Sequence, residues 1–114
     1  MPTIYKILPR YLWRDAERDG VFRGSQVDIK DGFIHFSTAV QAVETAAKHF
    51  AGERDLVLLS VDVGLLGAAL KWELSRGGAL FPHLYGDLDL GAVLRADPLP
   101  LGEDGTHQFP PLEP

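Results

Sequence analysis

The chain has 114 residues, 46% of them hydrophobic and 24% charged, with no cysteine and a formal net charge of −5. That length can bury a core within one domain, and the absence of cysteine excludes a disulfide framework, a thiolate metal site and a cysteine nucleophile. The negative charge argues against extended nucleic-acid binding.

In chain order, the opening "MPTIYKILPRYLW" has neither the basic start nor the unbroken apolar core of a signal peptide. No apolar run reaches the length of a membrane span, so the expectation is a cytoplasmic protein with no membrane partner. "TIYKIL" (3–8) is β-branched and aromatic and predicts a first strand. Pro9 then opens a helix through "RYLWRDAERDG", with Leu12, Trp13 and Ala16 as its apolar stripe and Gly20 as its stop. Arg10, Arg14 and Arg18 recur at every fourth residue and form either a phosphate-holding ridge or a solvated face. "VFRGSQVDIKDG" reads as a loop ending in an Asp-Gly turn, and "FIHFS" as a short strand.

Thr38 with Gln41 three residues on is a capping-box pattern. It predicts a second helix with Val40, Val43, Ala47 and Phe50 buried. "DLVLLSVDV" (55–63) is apolar almost throughout, as a central strand covered on both faces would be. "LKWELS" (70–75) alternates strictly, which predicts a strand with Leu70, Trp72 and Leu74 toward the core and Lys71, Glu73 and Ser75 on the other face. "RGGALFPHLYGDLDLG" reads as an ordered loop, and "AVLRADPLPL" as an edge strand because of its prolines. The expected class is α+β: a small, twisted, mostly antiparallel sheet with two main helices. Residues 1–101 are expected to form a single domain and residues 102–114 a loosely packed tail.

Four histidines are available for chemistry. His49 near a helix end complements the helix dipole, and His107 in the tail is expected to be exposed. His35 is a polar group in an apolar strand where strand turns to helix. It is either a satisfied core residue or the positioning group of a site. Glu73 is either a surface ion-pair partner or a carboxylate on a rigid element. His83 and Tyr85 lie in "FPHLYG", which is either a packing plug or a ligand-contacting loop. His35, His83 and Glu73 also make up the residue types of a two-histidine, one-carboxylate metal site. Gly-rich phosphate loops, His-Glu-x-x-His and Gly-x-Ser-x-Gly are absent.

Taken together, "IYKIL", "DGFIHFSTAVQ", "LVLLSVDV", "KWE" and "FPHLYGDL" resemble the DUF952 family of small bacterial proteins of undetermined function, over about residues 3–98. That family is distantly similar to the ADP-ribosyltransferase-like fold. The resemblance implies a groove for a nucleotide-like small molecule, with NAD as the cofactor. It places Lys6 at the NAD-holding position of the first strand, where histidine is common, Ser37 or Thr38 at the hydroxyl position and Glu73 as the catalytic carboxylate. His35, His83 and Tyr85 would complete the ligand contacts, and no metal is expected. The leading expectation is NAD-dependent ADP-ribosyl transfer. The alternatives are a non-catalytic binding module of the same fold and a metal-dependent enzyme using His35, His83 and Glu73.

Overall fold

The computed structural model describes residues 2–75 and 77–113. Apolar alternation and a few strong terminators set the first elements. β1 (Thr3–Pro9) ends at the proline that caps α1 (Arg10–Asp19), and Gly20 stops that helix at φ 78° with its N–H on the Ala16 carbonyl. Ala16 is buried, and Leu12 and Trp13 pack beside it, the stripe the sequence predicts. The arginine ridge is a solvated face: Arg10 pairs with Asp55, and Arg18 with Asp15 and Asp19.

The next segment departs from the expected loop. β2 (Val21–Phe22) is followed by α2 (Gln26–Asp31), a six-residue helix with Ser25 at its N-cap and Asp28 completing a capping box. β3 (Ile34–His35) is shorter than the predicted strand, and α3 (Ala39–His49) begins at Thr38 through the expected capping box with Gln41. The buried side of α3 is not the valine stripe. Val40 is 86% exposed, while Ala42 and Ala46 are buried. Alanines let the helix backbone lie close against Tyr5 and Ile7 of β1, an approach that valines would prevent.

β4 (Leu56–Asp62) is the predicted central strand. Two short 3₁₀ turns lead to β5 (Leu70–Ser75), which forms a hairpin with β6 (Ala79–Leu84). β6 replaces most of the expected loop, even though it contains Pro82 and lies between two other strands. The Pro82 carbonyl accepts from the Phe36 N–H at 3.0 Å, so the missing N–H of the proline falls on the side where β3 has already ended. β7 (Leu88–Asp89) and β8 (Val93–Leu99) complete the chain of elements.

Among the described residues these eight strands form sheets β1-β4-β8, β2-β7 and β3-β6-β5, every pair antiparallel. A bridge between Tyr5 and Ser37 joins the first sheet to the third. The class is therefore α+β with antiparallel sheets, built with three α-helices among the described residues rather than two. β8 is an outer strand, as its prolines predict.

β1 and β4 alternate between two cores. Ile4, Leu8, Val57 and Leu59 face α1 and the third sheet, while Tyr5, Ile7, Leu56 and Leu58 face α3. The tail covers the second core. Phe109 and Leu112 pack on it, and the Tyr5 hydroxyl accepts from the Glu113 N–H at 2.7 Å and donates to the Glu113 carbonyl at 3.1 Å. His107, half-buried rather than exposed, donates Nε2–H to the Glu53 carbonyl at 2.8 Å. No helix among the described residues is long and apolar enough to cross a membrane.

Candidate functional site

The site grows from the turn before α2. Gly24 has φ +117°, and a Cβ there would sit 2.9 Å from the Asp28 Cβ, so glycine is what lets this turn close over the first turn of the helix. Asp28 thereby enters the interior, with a side chain 1% exposed. Four donors meet it: Lys6 Nζ at 3.0 and 2.9 Å, His35 Nδ1 at 2.6 Å, the His35 N–H at 3.1 Å and the Ser25 N–H at 2.8 Å. Burial alone would raise the Asp28 pKa, but the hydrogen bond from His35 and the charge of Lys6 outweigh it and hold the carboxyl well below the usual range. The ionised carboxylate only accepts, so His35 Nδ1 must donate.

His35 Nε2 lies 3.0 Å from Asp31 Oδ2, which places a carboxylate at each ring nitrogen. Its cross-strand partner on β6 is His83, whose side chain is 5% exposed. His83 Nδ1 is 2.8 Å from Glu73 Oε1, and the Tyr85 hydroxyl donates to that same oxygen at 2.7 Å. The bond from Tyr85, followed by that from His83, lowers the Glu73 pKa, and the carboxylate in turn raises that of Tyr85. Phe33 ties the groups together: its ring stacks on His83 at 4.1 Å and leans on His35 at 4.5 Å and Tyr85 at 5.2 Å. The two imidazoles are 5.5 Å apart, edge to face.

Beside this cluster opens a cleft of about 710 Å³. Lys6, His35 and Ser37 line it, together with the rings of Tyr5, Tyr11, Phe36 and Phe50 and the carboxylates of Asp31 and Glu53. His49, set aside in the sequence reading, also lines it. The His83–Glu73–Tyr85 group stands behind His35 rather than in the cleft wall.

The structure thus brings His35, His83, Glu73 and Tyr85 around one phenylalanine and joins Lys6 to His35 through Asp28. Ser37 and Thr38 have other duties. The Ser37 hydroxyl is 3.2 Å from that of Thr45, and the Thr38 hydroxyl caps α3. The metal triad of the third alternative does not form: each histidine faces its own carboxylate, and among the described residues no three such side chains are placed to hold a metal ion. Of the β5 face expected to be core, Leu70 packs on the first core, but Trp72 is 43% and Leu74 72% exposed.

Three central residues were missed in the sequence: Asp28, Asp31 and Phe33. The one signal for Asp28 was Ser25-x-x-Asp28, a variant capping box inside a stretch read as loop.

The model of a protein family of unknown function, DUF952, matches residues 7–96. The chain belongs to the DUF952 family. Among solved structures, the crystal structure of CC0527 from Caulobacter crescentus is 55% identical to this family member, with a TM-score of 0.89 over 93% of each chain. The solution NMR structure of the same Caulobacter protein gives a TM-score of 0.85 at 55% identity, over 95% of this chain and 93% of that one. No match was found among curated proteins.

Proposed function

We propose that this DUF952 member binds a nucleoside-like small molecule in the cleft at Lys6, His35 and Ser37, and that His35, backed by His83, moves a proton on it. The observation that carries the reading is the bracing of two adjacent imidazoles by separate carboxylates, Asp28 and Glu73, 5.5 Å apart ring to ring. A carboxylate at Nδ1 fixes a ring's orientation, and His35 Nε2 is shared with Asp31, itself part of the cleft wall. Such a site fits cleavage of a glycosidic C–N bond: a carboxylate of the cleft wall, Asp31 or Glu53, takes a proton from the attacking water, the bond to the sugar carbon breaks, and the base leaves with a proton from His35. Glu73 would then act as a positioning residue through His83.

An ADP-ribosyltransferase-like arrangement is part of this reading. It is supported by the bridged antiparallel sheets, with Lys6 on the first strand and Glu73 on a later one. NAD itself fits the donor set poorly. Lys6, the one lysine or arginine among the described residues lining the cleft, is neutralised by Asp28, and Asp31 and Glu53 would face the pyrophosphate. A neutral base and sugar meets no such conflict.

The test is NMR titration with a nucleoside, its monophosphate and NAD. The nucleoside is expected to shift His35, Phe36 and Ser37 and to bind at least about tenfold more tightly than the monophosphate. The reverse order, or no shift at these residues, overturns the proposal. A second reading, a binding module without turnover, is favoured by the internal engagement of Lys6, Ser37 and Thr38. Release of free base that is lost in His35→Ala supports the enzyme. Binding without release supports the module.

A further inference from the structure

Among the described residues, β5 is an outer strand that pairs only with β6. In an antiparallel pair, opposed residues alternate between exchanging both backbone hydrogen bonds and pointing both sets away. The Pro82 carbonyl faces Phe36 of the β3 side, so its partner Trp72 must face away from β6. The Tyr85 N–H bonds the Ala69 carbonyl at 2.8 Å, which sets the same phase one residue before the strand. The N–H and C=O groups of Trp72 and Leu74 and the C=O of Leu70 therefore point out of the sheet's open edge, while the Leu70 N–H is bonded to the Gly67 carbonyl.

Outer strands are normally blunted against pairing. β8 carries Pro98, whereas β5 has no proline, and its side chains Trp72 and Leu74 are exposed beside Leu80, which is 51% exposed. The strand is also self-complementary. About a twofold axis at Trp72, antiparallel pairing sets Trp72 opposite its own copy and Leu70 opposite the partner's Leu74, so that Trp72 exchanges both bonds with its copy and each Leu74 N–H meets the partner's Leu70 carbonyl. It also sets Lys71 opposite the partner's Glu73 in the close, non-hydrogen-bonded register, with Cα atoms about 4.5 Å apart.

We propose that β5 is the interface with a second copy of this chain, which joins two β3-β6-β5 sheets into one six-stranded sheet. The charge match makes a copy of the same strand the fitting occupant, because a shift of register by two residues would break the Lys71–Glu73 pairing. The arrangement also bears on the site: Glu73, which holds His83 and Tyr85, receives the partner's Lys71. The inference rests on the edge geometry and not on the ligand proposed for the cleft.

Sedimentation of the full chain tests it. The expected mass is twice the 12.5 kDa of one chain at micromolar concentration. Leu74→Lys is expected to raise the dissociation constant at least about tenfold, while Leu65→Lys, at a residue 62% exposed away from the edge, leaves it unchanged. Both substitutions lie on exposed side chains, and circular dichroism checks that each variant is folded. Trp72→Cys, in a chain otherwise free of cysteine, is expected to form a covalent dimer on mild oxidation, since hydrogen-bonded partners sit about 5.5 Å apart at Cα. A wild-type monomer throughout the micromolar-to-millimolar range overturns the proposal. So does a dimer that Leu74→Lys leaves intact.

Discussion

Asp28 is the residue on which most of the candidate site depends. Its carboxylate lets Lys6 be buried, orients His35 and caps the turn at Ser25. Replacing it with asparagine leaves the Lys6 ammonium without its counter-charge, and unpairing a buried ion pair costs about 3–5 kcal/mol. Asp28→Asn is therefore expected to lose stability of that order in urea melts at neutral pH. The depressed pKa gives the sign of a second effect. A carboxyl lowered in the folded state contributes stability above its ordinary value of 3.8, and that contribution is lost as pH falls from there toward the folded value. Wild-type stability is expected to drop across that acid window, and the drop should be smaller in Asp28→Asn. None of this was legible in the sequence. Lys6 was read as a cation facing a ligand because its partner, 22 residues on, stood in a stretch that looked like loop.

At the scale of elements, legibility followed length and the strength of the end signals. α3 was read correctly from Thr38 and Gln41, and Thr38→Ala is expected to cost about 1 kcal/mol in thermal or denaturant melts by removing the acceptor for the Gln41 N–H. α2 was missed because six residues carry too little periodicity to register. β6 was missed because Pro82 normally argues against an inner strand, and only the early end of β3 makes it tolerable there. The buried face of α3 was misassigned because hydrophobicity favours valine over alanine, whereas close packing on β1 favours the smaller side chain. Strict alternation in β5 predicted the strand, but alternation says which residues share a face and not whether that face is covered.

At the scale of the whole molecule, the second core is closed by the tail, and Tyr5 fastens it from 108 residues away. Tyr5→Phe keeps the ring and removes both bonds to Glu113. The expected loss is about 0.5–1.5 kcal/mol per bond, and faster amide exchange or proteolysis confined to residues 108–113 would identify the cause. The class and the division of labour between strands were readable from patterning, since β1, β4 and β8 carry strong local signals. The convergence of His35 with His83 was not. It depends on β3 meeting β6 across a gap that no local pattern spans.

That pairing order has a consequence in time. β1 must find β4 and β4 must find β8, and of the ladders in the third sheet only the β5–β6 hairpin joins neighbours in sequence. A chain whose strands wait for distant partners closes long loops before any contact rewards it, which places its folding with slow, high-contact-order domains, in about milliseconds to seconds rather than microseconds. The hairpin is the one piece of sheet that can form early, and it would stand with its outer edge bare while the rest of the chain assembles around it.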